Sequence, residues 1–236
     1  MIIIKVKDYS ELSRKAASLV AEELAKKPDL ALCLPTGATP LGMYEQLTDK
    51  NLDFSKATMF LLDEYAGLGV DDEESFACYM CLNFLDLVNF RKENVFMFNG
   101  KAADLDKECE DYEKKIEEKK IDLAILGIGK NGHVGFNEPG SSFSSQTRVV
   151  SLSEQTRESN AKYFEKGEVP SKALTVGLKT IMGAKKIILL ASGAEKAEVI
   201  KQLVEGEISY QLPASVINTH KDAVLVVDRA ASKLLK

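Results

Sequence analysis

The sequence predicts an α/β fold built on a mostly parallel sheet. Short aliphatic or β-branched runs recur along the whole chain, segments of helical period lie between them, and no repeat, low-complexity tract or linker interrupts the alternation. The runs predicted as buried strands are Ile2–Val6, 30–34, 58–62, 122–126, 186–190 and 223–227. Between the first two, residues 10–25 place Leu12, Ala16, Leu19, Val20 and Leu24 at helical spacing. A second helix is expected to begin at Leu41, and 76–87 reads as an apolar helix. Residues 104–120 keep Leu105, Tyr112 and Ile116 near one face, and the charges around them predict a solvated face. A polar helix is expected within 151–172, where Glu154, Arg157, Glu158 and Glu165 precede Gly167 and Pro170. A chain of 236 residues buries enough surface to fold as a single domain over 1–236 without disulfides.

Composition excludes several classes of function. The 31 basic and 36 acidic side chains leave a net charge of −5, against a nucleic-acid-binding surface. No apolar run approaches a membrane span, and the start MIIIKVKDYS is charged too early for a signal peptide, so a cytoplasmic location is expected. The four cysteines include a C-x-x-C at Cys78 and Cys81. Without a second such pair, and with only two histidines in the chain, these read as packing residues rather than a metal or redox site.

In open α/β sheets ligands bind beyond the carboxyl ends of the strands, so the segments that follow the strands carry the functional information. After 30–34 comes Pro35, Thr36, Gly37, Ala38, Thr39 and Pro40. Such a turn before a helix serves either as a plain Pro/Gly turn or as a cradle of backbone N–H groups for a phosphate, with Thr36 and Thr39 adding hydroxyls. It is not a Walker A loop, because no Gly-Lys-Ser/Thr follows. After 58–62 come Asp63, Glu64 and Tyr65. Side chains alternate there, so one carboxylate can face the crevice as a general base while the other faces away; a helix-capping acid is the other reading. After 122–126 comes GIGKNGHVGFNEP at 127–139, whose four glycines permit an irregular loop gathering Asn131, His133 and Glu138. Histidine titrates near neutral pH and suits proton shuttling, although an isolated histidine is more often structural.

These segments, together with ALTVG at 173–177, closely resemble the glucosamine-6-phosphate deaminase (isomerase) family in order and spacing over nearly the whole chain. The resemblance implies a modified Rossmann-like fold, and isomerisation of glucosamine 6-phosphate coupled to loss of ammonia. The polar segment 151–172, closed by Gly167 and Pro170, reads either as a helical lid over the site or as an ordinary surface helix. The resemblance implies Asp63 as the base of enolisation, and His133 as the ring-opening acid/base with Asn131 and Glu138 beside it. It further implies the 36–39 turn, Lys196 of SGAEK and Lys162 as phosphate ligands. Three departures stand out: Ala38 replaces a common glycine, Asn131 an aspartate, and Lys162 an arginine, which turns a bidentate contact into a point charge. Acids, bases and donors suffice for this chemistry, so neither metal nor organic cofactor is expected.

The nearest rival is a 6-phosphogluconolactonase, which tends to carry arginine where Tyr65 stands and to lack the FNEP run at 136–139. A second rival is a non-catalytic sugar-phosphate sensor, which would normally carry a helix-turn-helix. Hexameric, allosteric members have a lysine at the position of Val150 and a longer C-terminus than one ending at Lys236. The resemblance therefore implies a monomer or small homo-oligomer with hyperbolic kinetics.

Overall fold

The computed structural model describes residues 1–164 and 168–236. Its main sheet has seven parallel strands: β1 (Ile2–Val6), β2 (Ala31–Leu34), β3 (Thr58–Leu61), β5 (Val95–Phe96), β6 (Leu123–Gly127), β9 (Lys186–Ala191) and β10 (Ala223–Asp228). They lie in the order β1-β10-β9-β6-β2-β3-β5. A second sheet of three antiparallel strands, β4 (Asp63–Tyr65), β8 (Lys172–Thr175) and β7 (Arg148–Ser151), adjoins it.

The central strands are buried on both faces, which is why they read as unbroken aliphatic runs. Alternate residues feed two cores. Cys33, Phe60, Ala124, Leu126, Ile187 and Leu189 face one layer, which includes Tyr112 and Ile116 of α4 (Leu105–Lys119), Leu178 and Ile181 of α6 (Leu178–Met182), and Val199, Ile200 and Leu203 of α7 (Ala197–Glu205). Leu32, Leu34, Met59, Leu61, Leu123 and Ile125 face the other, against α1 (Tyr9–Lys26), α2 (Ala38–Thr48) and α3 (Phe76–Asn83). Side-chain caps start the helices: Asp8 accepts from Glu11 N–H, Asp104 from Lys107 N–H and Ser75 from Cys78 N–H.

Several expectations need correction. Helix α2 begins at Ala38, not Leu41, because Pro40 falls in the first turn, where its missing N–H breaks no helical bond. The apolar helix predicted to reach residue 87 ends at Asn83 and passes into a 3₁₀ turn, Leu85–Leu87. The charged face of α4 is not wholly solvated, since Glu113 is buried and accepts from Thr147 N–H and Thr180 Oγ1. The segment 151–172 is not one helix. Ser151 ends β7, α5 (Glu154–Asn160) and a 3₁₀ turn (Ala161–Tyr163) follow, and Lys172 opens β8. Glu165 and Gly167, which belonged to that expectation, lie outside the described residues.

Strand order places the site. β9, β6, β2 and β3 are consecutive neighbours with parallel carboxyl ends, so the segments after them emerge along one edge. Those segments carry Lys196, the 127–139 loop, the 36–39 turn and Asp63.

Candidate active site

The turn after β2 is shaped by Gly37, whose φ of 103° suits glycine and which caps α2 with no side-chain hydrogen bond. No acidic residue occupies the first turn of α2. Among the described residues, the N–H groups of Gly37, Ala38 and Thr39 donate to no backbone acceptor, so they stand available to an anion at the positive end of the helix. Ala38 is the first helical residue and keeps a negative φ, so the replacement of glycine brings no strain.

Asp63 and Glu64 point in opposite directions, as alternation along β4 requires. Glu64 is fully buried and accepts from the N–H groups of Tyr65 (2.8 Å), Phe76 (3.0 Å) and Ala77 (2.8 Å), tying β4 to the start of α3. Burial pushes its carboxyl up to about 7 against the pull of those donors. Asp63 is 6% exposed and lies opposite Thr175 on β8. Burial, reinforced by the charge of Glu64, pushes its carboxyl up to about 8. It faces Gly135, where φ is 56° and an added Cβ would stand 3.2 Å from Asp63 Oδ2. Glycine there lets the loop after β6 close over the carboxylate.

That loop holds a hydrogen-bonded string. Asn131 Nδ2 donates to Glu138 Oε2 at 2.7 Å, which leaves Asn131 Oδ1 facing His133 Nδ1, also at 2.7 Å. An amide oxygen only accepts, so Nδ1 carries a proton and Nε2 of the neutral ring is left as a base. Glu138 Oε1 stands 3.5 Å from His133 Nδ1 and accepts from Thr156 Oγ1 of α5 at 3.1 Å. The imidazole packs on Gly129, where an added Cβ would fall 2.2 to 2.4 Å from Cε1, Nδ1 and Nε2. Burial and the charge of Lys196 hold the imidazole below its ordinary range, while Glu138 opposes them.

Lys196 ends the 3₁₀ turn after β9, and its Nζ donates to Ile128 O at 2.7 Å, so it joins the same loop. Burial lowers the pKa of this ammonium, with Glu195 pulling the other way. Lys162 is exposed in the turn after α5. Contacts thus bring together Asp63, Asn131, His133, Glu138 and Lys196 around one loop. The 36–39 turn stands at the neighbouring strand end, and Lys162 on the segment beside α5.

Sequence reading missed the residues that hold this loop. Buried Asn137 donates to Val134 O (3.0 Å) and Val176 O (2.9 Å) and accepts from Arg148 Nη1 (2.9 Å). Ala214 N–H donates to Gly132 O at 2.9 Å, and Leu212 packs where a side chain at Gly132 would lie. The FNEP run pointed to Asn137; nothing local pointed to Leu212 or Ala214.

The sequence profile described as glucosamine-6-phosphate isomerases/6-phosphogluconolactonase matches residues 7–226. The chain belongs to this family. Among its members, glucosamine-6-phosphate deaminases of Clostridium botulinum and Clostridium novyi are 47% and 49% identical, covering 99% of this chain and 99% and 100% of theirs. A solved monomeric glucosamine-6-phosphate deaminase superposes with a TM-score of 0.96 at 45% identity, covering 99% of this chain and 100% of that one. The modified Rossmann-like fold expected from the resemblance is thereby shown. A 6-phosphogluconolactonase from Trypanosoma cruzi has a TM-score of 0.82 at 21% identity and covers 100% of this chain and 97% of that one; it shares the fold. Tyr65, where lactonases tend to carry arginine, accepts from Asn160 Nδ2 at 3.0 Å and packs edge-on against Phe164.

Proposed function

We propose that the chain converts glucosamine 6-phosphate and water to fructose 6-phosphate and ammonia. The observation that carries this reading is the string Glu138–Asn131–His133 in the loop that closes over buried Asp63 of β4, a proton shuttle and a separate base at one site. The full-length relatives named glucosamine-6-phosphate deaminase support it.

The substrate binds as a pyranose. His133 Nε2 takes the proton of the anomeric hydroxyl and returns it to the ring oxygen, which opens the ring to the C1 aldehyde. The aldehyde acidifies the C2 hydrogen, and Asp63 removes it to leave an enolamine. A carboxylate whose pKa is raised to about 8 is a stronger base than an ordinary aspartate, which narrows the gap to a carbon acid. A proton returns at C1, giving an imine at C2. Water adds to that carbon and ammonia leaves, so one water is consumed and one ammonia released.

The N–H groups of the 36–39 turn, the hydroxyls of Thr36 and Thr39, and the cations of Lys196 and Lys162 bind the phosphate in this reading. The segment 151–172 acts as a lid. Its support is the pair of contacts by which α5 meets the site: Thr156 with Glu138 and Asn160 with Tyr65. We infer a monomer or small homo-oligomer; the similar solved deaminase is monomeric. No helix among the described residues is long and apolar enough to cross a membrane. We place the activity in the cytoplasm, where charged sugar phosphates are retained. The test is purified protein given glucosamine 6-phosphate and 6-phosphogluconolactone in parallel. Ammonia from the first with no accelerated hydrolysis of the second is expected; the reverse pattern overturns the proposal.

A further inference from the structure

Three tyrosine hydroxyls from three helices grip the carbonyls of the turn after β2. Tyr44 of α2 donates to Pro35 O at 2.5 Å, Tyr79 of α3 to Gly37 O at 2.8 Å, and Tyr9 of α1 to Ala38 O at 2.8 Å. The Tyr9 hydroxyl also accepts the N–H of Gly42 at 2.8 Å, so it bridges both ends of an i→i−4 pair in the first turn of α2.

The consequence follows from peptide geometry. A trans peptide is planar, and the carbonyl of one residue and the N–H of the next point in opposite directions. Fastening the carbonyl of Gly37 therefore aims the N–H of Ala38, and fastening that of Ala38 aims the N–H of Thr39. Both N–H groups lack a backbone acceptor among the described residues. Gly37 is exposed, and a Cβ built on it would meet nothing within 4 Å, so no packed side chain fixes the tilt of its peptide. A tilted peptide would swing its N–H away from the anion.

We propose that Tyr9 and Tyr79 are positioning residues for phosphate recognition, holding the turn with its N–H groups toward the ligand. This rests on the assignment of the 36–39 turn to the phosphate of the substrate. Tyr44 has the same geometry but is fully buried against Phe84, so its replacement would also disturb the core.

The test uses Tyr9→Phe, Tyr79→Phe and the double variant, which keep the rings and remove only the hydroxyls. Each single change is expected to raise KM for glucosamine 6-phosphate roughly three- to tenfold, the worth of one neutral hydrogen bond, with kcat little changed. The dissociation constant of inorganic phosphate, read by calorimetry, should rise by the same factor, while the melting temperature stays near that of the unsubstituted protein. Unchanged phosphate affinity, or equal losses in kcat and melting temperature with KM unmoved, would overturn the proposal. The calorimetric arm separates this inference from the deamination reading. If the unsubstituted protein releases no ammonia but binds phosphate more tightly than Tyr79→Phe, the positioning role stands. If it does not bind phosphate at all, the role falls.

Discussion

Replacing Gly129 with alanine perturbs the proposed shuttle without touching a titratable group. The new methyl would stand 2.2 Å from Cε1, 2.3 Å from Nδ1 and 2.4 Å from Nε2 of His133, where ordinary contact begins near 3.4 Å. Nearly equal distances to three ring atoms put the methyl over the imidazole face, so the ring must retreat by about 1 Å along its normal, which takes the Asn131 contact out of the ring plane and carries Nε2 off its place. A misplacement of that size typically costs about 10²-fold in rate, so kcat/KM for the cyclic substrate should fall by roughly that factor. φ at Gly129 is not in the left-handed region, so the backbone accepts alanine without strain. The assay is ammonia release, alongside binding of an open-chain analogue with C1 reduced to an alcohol, which needs no ring opening. Its affinity should hold within about threefold, since only the shuttle is displaced. The same substitution made in His133→Gln should cost little more than His133→Gln alone, because both changes disable one device. A Gly129→Ala protein with full kcat/KM would refute the placement of His133, as would additive losses in the double variant.

Further outcomes follow from the same geometry. Asp63 has a folded pKa raised from 3.8 to about 8, so between these values the folded state holds a proton that the unfolded chain has released. Stability then falls by up to roughly 1.4 kcal/mol per pH unit across that window. Asp63→Asn, which cannot ionise, should therefore melt higher than the parent at pH 8, with the gain vanishing near pH 4; a constant difference across pH would contradict this. Lys196→Ala should raise KM for glucosamine 6-phosphate more than tenfold through loss of a charge-assisted partner. It should leave the weak activity on unphosphorylated glucosamine unmoved, and equal effects on both substrates would make Lys196 structural. Asn131→Asp adds a carboxylate at the position 2.7 Å from His133 Nδ1, so the imidazole titration followed by NMR should move upward; a fall would contradict the assigned contact. Saturation curves should be hyperbolic and unresponsive to N-acetylglucosamine 6-phosphate, with a monomer or small oligomer by light scattering. A hexamer whose sigmoidal curve straightens with that sugar would refute this.

What the sequence disclosed was governed by locality. Six of the seven strands described in the main sheet were legible to within one residue at each end, as unbroken aliphatic runs such as Ile187 to Leu190, whereas the two-residue edge strand Val95–Phe96 was not read. The second sheet was not read. Asp63–Tyr65 and Arg148–Ser151 are three and four residues long, and their pairing with β8 is set by tertiary contact rather than by pattern. α5 was overextended because polar residues continue beyond Asn160 while the helix does not. The candidate catalytic side chains were visible because each follows a strand at one sheet edge. Their supports were hidden, since Tyr79 and Gly37 are 42 residues apart, and Asn137 and Val176 are 39 apart. No local signal spans such distances.

The central claim is that Asp63 moves the C2 hydrogen during an isomerisation that ends in deamination. It is tested most directly by running the reaction on glucosamine 6-phosphate in deuterated water, following ammonia together with deuterium in the sugar. Ammonia should appear with fructose 6-phosphate that carries solvent deuterium at C1. In Asp63→Asn both signals should fall by about 10²- to 10⁴-fold while substrate binding persists. Deuterium exchange in Asp63→Asn at the rate of the unsubstituted protein would contradict the account.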